Sequence, residues 1–367
     1  MPLYLTEDQA MLRDTARDFM ASEGAIPTQL RKWRDMNCKD GFGHALWRQF
    51  GEMGFTGILV DEADGGLGLG HVEAGIVLEE IGCNLTPSPF LITAVAAVEA
   101  LKGTAQREKW LPGILKGETV AALAIDEGAK HRPEAIAVEA KRSGNGYSLS
   151  GAKQFVVQGA SADFILVAAR TEEGLGLFAV EKDAKGLEVE GVRMADSSIG
   201  ARMTFANVEV DVDALIGGEE VLRRVLRAGR VGAAAEMVGV ASGAIGMTVD
   251  YLKQRKQFGR LIGEFQALQF RAAHLYSELE IARATTLKTQ QLLDEGSAEA
   301  EAMVHVAKAK AGQVSTLAVQ EGVQMHGGIG MTDEYDIGLY MKRDRVLNEL
   351  FGDANYHADQ LARLNGY

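Results

Sequence analysis

The hydrophobic residues follow a helical spacing at both ends of the chain and a strand-like spacing in the middle. In residues 1–116, apolar side chains recur three or four positions apart, starting with a helix that the capping-box pattern at Thr6–Gln9 opens. In residues 117–217, short apolar or alternating runs are separated by Gly, Asn, Asp and Ser, with a hairpin turn signal at Ser143–Gly146. Residues 218–367 return to helical patterns. The pattern predicts an α+β fold with an N-terminal helical domain, a middle antiparallel β domain and a C-terminal four-helix bundle.

The same spacing predicts where the individual elements lie. The middle domain should be a small antiparallel sandwich or barrel, with strands at Thr119–Ile125, Ala135–Arg142, Gly146–Leu149, Ala152–Val157, Phe164–Ala169, Leu175–Val180, Leu187–Val192 and Met203–Val210. The bundle should contain four long helices, at Val221–Lys256, Ala267–Leu293, Ala298–Gly322 and Asp333–Glu349.

Charge and cysteine content narrow the classes of partner. The net charge is −13, from 51 acidic and 38 basic residues, which disfavours nucleic acid or an anionic membrane as partner. Cys38 and Cys83 are the two cysteines, and without a CxxC or Cys/His cluster they predict neither disulfides nor a metal site. No run reaches the roughly 20 apolar residues of a membrane span, and the N-terminus lacks the order of a signal peptide. We therefore expect a soluble, cytoplasmic protein.

Three glycines close together follow the third helix of the predicted bundle. Gly327, Gly328 and Gly330 fall within four residues, beside the polar side chains of Gln324 and His326. One interpretation is a helix C-cap and turn, since glycine after a helix is common. The other is a place where the backbone approaches a ligand closely, which glycine also permits. The polar neighbours favour the second interpretation.

A basic and aromatic segment, Arg255–Gly259, separates the first two bundle helices. A guanidinium suits a pyrophosphate because its forked N–H donors bind phosphate oxygens in pairs, and Phe258 offers an apolar face next to it. The glycine-dense loop Glu62–Gly70 lacks the Lys-Ser/Thr of a P-loop and the strand–helix setting of a dinucleotide fingerprint. We interpret it as a tight loop between helices.

Four motifs in this order resemble those of the acyl-CoA dehydrogenases. They are EADGGLGLG at Glu62–Gly70, GYSLSGAKQF at Gly146–Phe155, RKQFG at Arg255–Gly259 and QMHGGIG at Gln324–Gly330, and the similarity spans essentially the whole chain. The resemblance implies FAD between the β domain and the bundle, with an acyl-CoA thioester beneath the flavin. In that family a Glu removes the proton alpha to the carbonyl, FAD accepts hydride from the beta carbon, and electron-transferring flavoprotein is the acceptor.

The resemblance also implies which residues bind FAD. In the family, the bundle segments reach across a dimer interface to the FAD of a neighbouring subunit, and their counterparts here are intact. The cofactor-binding residues expected from the bundle are Arg255, Gln257, Phe258, Gln266, Gln324, Gly327 and Gly328. In the β domain, Phe155 and the backbone of Val157 can still meet a flavin, although Val157 has no hydroxyl. The family's usual Thr-Glu-Pro…Gly-Ser-Asp run is replaced by Ile125–Pro133.

The catalytic base of the family has no counterpart at either of its two known positions. Alignment through Arg343-Asp344 places Gly352 where most members carry Glu, and the position used by other members matches Gly229. Asp353, one residue beyond the first position, is the candidate substitute. Its alternative role is a helix cap or a solvated side chain, because Asp is shorter than Glu and points in a different direction from the neighbouring residue.

Three functions remain open. The ending LFGDANYHADQLARL is similar to that of pimeloyl-CoA dehydrogenase small subunits, which suggests a non-catalytic subunit that completes the FAD site of a Glu-bearing large subunit in an α2β2 assembly. Such assemblies act on steroid side chains or dicarboxylic acyl-CoAs. The second hypothesis is a homo-oligomeric dehydrogenase of fatty acid or steroid catabolism that uses Asp353 or another base. The third is an acyl-CoA- or flavin-binding protein with other chemistry.

Overall fold

The chain folds into helices at both ends and strands in the middle. The computed structural model describes residues 3–367. The α-helices are α1 Glu7–Ser22, α2 Lys32–Asp35, α3 His44–Glu52, α4 His71–Asn84, α5 Val98–Leu101, α6 Arg107–Leu115, α7 Glu219–Gln254, α8 Gln266–Asp294, α9 Ala300–His326, α10 Ile337–Glu349 and α11 Ala354–Leu364. Short 3₁₀ turns lie at Phe55–Gly57, Glu62–Asp64, Pro133–Ala135, Val212–Ala214, Ile262–Glu264 and Gly327–Met331, and π-helical turns at Pro27–Arg31 and Leu91–Ala97.

Eight of the strands form a single sheet. The strands are β1 Ala121–Ala124, β2 Glu139–Ser143, β3 Gly146–Val157, β4 Phe164–Thr171, β5 Gly174–Glu181, β6 Leu187–Arg193, β7 Ile199–Asp211 and β8 Leu215–Gly218, with a separate hairpin of β9 Lys256–Gln257 and β10 Arg260–Leu261. The sheet order is β6-β7-β3-β2-β4-β5-β8, and β1 pairs with β4. The two runs predicted within β3 form one continuous strand.

The sheet is mixed, which corrects the prediction that its strands are all antiparallel. β1 runs parallel to β4, with Leu123 opposite Leu166, and β2 meets β4 in parallel at one pair. All four residues of β1 and the first six of β4 are buried. A strand that is buried on both faces shows no alternation, so its sequence gives no indication of the direction in which its neighbour runs.

The predicted bundle helices are confirmed as α7 to α10, with ends that shift by a few residues. The C-terminal helix α11 was not predicted, although its residues make an amphipathic pattern.

α7 is long and apolar enough, by length and composition, to cross a membrane, but 78% of its most apolar 18-residue segment is buried inside the structure. Core helices of soluble proteins share that property, so the observation is weak evidence for a membrane span.

Contacts along the chain define two compact units. The helical unit comprises Met1–Leu30, His71–Thr86 and Arg230–Tyr367, and the sheet unit comprises Arg31–Gly70 and Pro87–Gly229. In the helical unit, the Asp294 carboxylate accepts hydrogen bonds from the backbone N–H groups of His71 and Val72, at 2.7 and 3.2 Å, and so caps α4. The three-domain division at residues 117 and 218 stays a prediction.

Candidate functional site

The turn between α10 and α11 carries the first of the two base positions. Phe351 and Gly352 have φ values of 62° and 100°, in the left-handed region that residues other than glycine rarely adopt. Both residues are buried, and they lie in the helical unit. Strained backbone of this kind persists where the surrounding structure holds it, and it is found preferentially at functional sites.

A buried lysine and a buried histidine hold this turn. Lys308, on α9, is 1% exposed, and its Nζ donates hydrogen bonds to the carbonyls of Leu347 and Gly352 at 2.9 and 3.0 Å. His357, on α11, donates from Nε2 to the Phe351 carbonyl at 3.1 Å. The Nδ1 atoms of His357 and His305 lie 2.8 Å apart, within hydrogen-bond distance. The conformation at residue 352 therefore depends on contacts from two other helices.

The pH dependence of stability should report the burial of Lys308. Burial lowers the pKa of Lys308 to about 7 from its ordinary value of 10.5, against the opposing effect of Asp344. Between these two pH values the unfolded chain holds the proton that the folded chain has released, so stability should rise with pH through this window. The slope from this one group is about 1.4 kcal/mol per pH unit.

We expect Lys308→Met to remove that rise from urea unfolding curves measured at pH 7, 8 and 9. The matched control is Lys342→Met, at an exposed position on α10, which should leave the slope of the wild-type protein unchanged. Parallel pH profiles for the wild-type and Lys308→Met proteins would contradict the assignment.

No side chain fits at Gly352 without a rearrangement. A Cβ added there would lie 2.4 Å from Cδ1 of Tyr356, on the first turns of α11. The Tyr356 hydroxyl accepts a hydrogen bond from the guanidinium of Arg230 at 3.1 Å, and that guanidinium lies 5.6 Å from the ring centroid. Arg230 directly follows Gly229, the second base position, in the sequence. A tyrosine ring thus takes up the space beside the first base position.

Asp353 is the N-cap of α11. Its Oδ1 accepts a hydrogen bond from the backbone N–H of Tyr356 at 2.8 Å, and its backbone is extended, as an N-cap requires. The structure therefore shows the capping role that was the alternative for this residue. Its role as a base stays a prediction.

The Arg255–Gly259 segment forms an exposed hairpin tip after α7. Arg255, Gln257 and Phe258 are exposed, and so is Gln266 at the start of α8. Phe258 is 90% exposed and has a φ of 53°, while β9 and β10 pair on either side of it. An aromatic side chain that is exposed to this extent and held by strained backbone indicates a surface that another molecule covers.

The segment at the end of α9 is also exposed to solvent. Gln324, Gly327 and Gly328 are exposed, and a Cβ added to either glycine would meet nothing within 4 Å in the described part of the chain, its neighbours in sequence aside. The φ of 66° accounts for glycine at residue 327, but Gly328 has an ordinary φ, so the chain's own packing gives no reason for glycine there. Beside them, the Nδ1 of His326 donates a hydrogen bond to the Gly322 carbonyl. The other ring nitrogen, Nε2, is buried and has no hydrogen-bond partner within residues 3–367.

The sheet unit holds Phe155 and Val157 at the end of β3. The register of β3 against β7 shifts between Lys153 and Val156, and Phe155, within that shift, has a φ of 56°. Val157 is buried, and Gln158 after it is also left-handed, with a φ of 55°. The buried Oε1 of Gln158 has no donor in the described part of the chain. It is an acceptor that sequence reasoning missed, because Gln is usually a surface residue.

The segment Ile125–Pro133, which replaces the family's Thr-Glu-Pro…Gly-Ser-Asp run, is held in place by a buried lysine. Lys153 is almost fully buried, and its Nζ donates to the Ile125 carbonyl at 3.0 Å and to Glu127 Oε1 at 2.7 Å. Burial alone would raise the pKa of Glu127, but hydrogen bonds from Lys153 and from the Val138 N–H outweigh it and lower the pKa.

Among residues 3–367, no group of three His, Cys, Asp or Glu side chains could hold a metal ion.

Comparisons with known proteins agree along the whole chain. Three family profiles match: "Acyl-CoA dehydrogenase, N-terminal domain" over residues 6–118, "middle domain" over 125–208 and "C-terminal domain" over 217–364. The acyl-CoA dehydrogenase FadE12 of Mycobacterium tuberculosis is 31% identical over 364 residues, which cover 93% of this chain and 91% of FadE12. The cyclohex-1-ene-1-carbonyl-CoA dehydrogenase of Geobacter metallireducens is 29% identical, with 96% of each chain covered.

Solved structures show the same relationship. A variant of the Tcur3481–Tcur3483 steroid acyl-CoA dehydrogenase matches with a TM-score of 0.91 and 31% identity, over 98% of both chains. The ChsE4–ChsE5 complex from M. tuberculosis matches with a TM-score of 0.92 and 25% identity, over 100% of both chains. With the three profiles, these matches show that the chain belongs to the acyl-CoA dehydrogenase family, whose members are FAD-dependent flavoproteins.

Proposed function

We propose that this chain is the non-catalytic subunit of a two-component acyl-CoA dehydrogenase and completes the FAD site of a partner subunit that carries the catalytic Glu. The observation that carries the proposal is the structure around Gly352. That position has no carboxylate, its φ of 100° disfavours any side chain, and Tyr356 takes up the space a Cβ would need. The family's other base position is also glycine, at Gly229.

The surface expected to face a partner supports the same proposal. Arg255, Phe258 and Gln324 are exposed, and the space outside Gly328 is open. Two further apolar side chains of the helical unit, Phe270 and Met331, are 69% and 80% exposed. A partner subunit would cover these exposed apolar side chains, so we propose that this chain works only in an oligomer.

The residues present fit FAD. Arg255 offers paired N–H donors to phosphate oxygens, Phe258 offers an apolar face, and Gly328 leaves room for close approach. In the sheet unit, the buried Gln158 Oε1 needs a donor, which a flavin ring N–H can supply. Bound FAD supplies the hydride acceptor of the reaction. Removal of the alpha proton then depends on a carboxylate, which we assign to the partner because Asp353 is engaged in capping α11.

Two of the relatives support a proposal for the substrate and the assembly. ChsE4–ChsE5 is a complex of two different chains, and the Tcur3481–Tcur3483 protein is a steroid acyl-CoA dehydrogenase. We propose an α2β2 assembly that acts on a bulky or carboxylated acyl-CoA, with electron-transferring flavoprotein as acceptor, in the cytoplasm. The alternative is a homo-oligomer in which Asp353 or another residue is the base.

A mixing experiment tests the proposal. The purified chain with FAD should show negligible acyl-CoA oxidation with an artificial electron acceptor. Activity should appear when a Glu-bearing large subunit is added, because a positioned base contributes about 10²–10⁴-fold to the rate. Arg255→Ala should reduce the activity of the mixture. Lys256→Ala, at the next residue and also exposed, should reduce it less, because a lysine lacks the forked donors of arginine.

One variant separates the two candidate functions. Asp353→Asn keeps the helix cap, since Asn and Asp cap equally well, but it removes the carboxylate. If the unmodified chain turned over acyl-CoA by itself, and Asp353→Asn abolished that turnover, Asp353 would be the base and the non-catalytic proposal would be wrong.

A further inference from the structure

A cavity of about 620 Å³ lies within the helical unit and is lined by none of the residues assigned to FAD or to the base. Its walls come from α1, α4, α7 and α8 and from residues 3–5 before α1, and Ile76, Val238 and Leu287 supply much of its apolar lining. The volume falls in the range of about 300–1,000 Å³ that is typical of small-molecule sites. The cavity is therefore large enough for a ligand with an aliphatic body.

The charged side chains around the cavity have ion-pair partners, and Arg13 pairs with Asp14 outside the lining, at 3.0 Å. Arg17 lies 3.1 Å from Glu80, and Arg283 binds both Glu79, at 2.9 Å, and Glu280. Burial raises the pKa of Glu80 even though Arg17 opposes the shift. A charged ligand would find no free counter-charge among these pairs and would lose its hydration, so the lining favours an uncharged one.

Two uncharged polar side chains face the cavity from one side of α8. Thr286 is 4% exposed, and its Oγ1 has no hydrogen-bond partner within the described residues. Gln290, one helical turn further along, is buried and also lines the cavity. Gly75 on α4 makes room for it, since a Cβ there would lie 1.8 Å from Gln290 Nε2. Buried polar groups are nearly always hydrogen-bonded, so the Thr286 hydroxyl indicates a missing partner.

We propose that this cavity binds an uncharged amphipathic molecule, an aliphatic chain that ends in an amide or alcohol. The polar end of the ligand hydrogen-bonds to the Thr286 hydroxyl and the Gln290 amide, and its chain lies against Ile76, Val238 and Leu287. The site is independent of the proposed function, because it uses no residue of the FAD or base positions.

Isothermal titration calorimetry on the full-length, FAD-loaded chain tests the proposal with octanamide as the probe. We expect octanamide to bind at least tenfold more tightly than octanoate or octylamine. Thr286→Val, which removes the hydroxyl and keeps the shape, should weaken octanamide binding about three- to tenfold, the equivalent of one hydrogen bond. The matched control is Thr285→Val, which removes a hydroxyl that donates to the Ile281 carbonyl at 2.7 Å outside the cavity and should leave binding unchanged.

A second variant keeps the test decisive if Thr286→Val does not fold. Gly75→Ala places a methyl group where the Gln290 amide lies, and it should also weaken octanamide binding. A cavity that holds only water would show no octanamide binding, or binding that neither variant changes, and either result would overturn the proposal. So would tighter binding of octanoate or octylamine.

Discussion

Restoring a carboxylate at residue 352 should take two substitutions rather than one. Gly352→Glu alone should remain inactive, because its Cβ would lie 2.4 Å from Tyr356 Cδ1. The φ of 100° adds a strain cost that the single and the double variant share. Adding Tyr356→Ala removes the ring and frees that space. When the single and the double variant are each loaded with FAD, the double variant should oxidise acyl-CoA about 10²–10⁴-fold faster than Gly352→Glu alone. The measurement is reduction of a dye acceptor under single-turnover conditions.

Stability measurements separate the effect of the close approach to Tyr356 from the effect of the left-handed backbone. Gly352→Ala and Gly296→Ala both place a methyl group on left-handed backbone, but at Gly296 the methyl would meet nothing within 4 Å. Gly352→Ala should therefore lose more free energy of unfolding, by about 1–3 kcal/mol, the usual cost of overpacking. Equal losses would mean that Tyr356 moves aside, and an active Gly352→Glu single variant would contradict the reasoning altogether.

Arg343→Met should destabilise the chain by roughly 3–5 kcal/mol, because it leaves a buried carboxylate with its main counter-charge removed. Arg343, on α10, donates from Nε and Nη2 to Oε1 of Glu236 on α7, at 2.7 and 2.6 Å, and the Glu236 side chain is 3% exposed. Breaking a buried pair from one side costs far more than the pair contributes in total. Chemical denaturation with urea measures the loss.

Arg345 supplies the control for this variant. It lies two residues away on the same helix and pairs with Glu349 at 2.9 Å, but its side chain is 71% exposed. Because solvent screens exposed pairs, Arg345→Met should cost about 1 kcal/mol or less. Similar losses from the two variants would show that the environment of Glu236 is wetter than its burial indicates.

The sequence predicted most elements that have one apolar face, although the amphipathic helix α11 was missed. The long helices α7 to α10 and most strands lie within a few residues of their predicted positions, because their apolar spacing reflects which face is buried. The parallel pairing of β1 with β4 could not be predicted, since both strands are buried on both faces. The short strand β8 was missed because its sequence, Leu215–Gly218, is half glycine.

The site was predictable only as far as local motifs define it. The exposed glycines Gly327 and Gly328 form one short motif and Arg255–Gly259 another, so each could be identified in the sequence. Tyr356 and Lys308 could not, because their roles depend on contacts with residues far away in the chain or on another element. Lys308 lies in the run Ala307–Gly312, where Lys310 pairs with Glu278 as a partly exposed lysine would, and nothing in the sequence distinguishes the two.

The open space outside Gly328 has a consequence for how mutations of this protein are interpreted. Since an added Cβ there would meet nothing within 4 Å among residues 3–367 other than its chain neighbours, selection for a stable, soluble chain should tolerate alanine at this residue. Selection for turnover by the assembled enzyme should not. Residues that pass the first screen and fail the second would therefore trace, position by position, the footprint of whatever this chain touches in the cell.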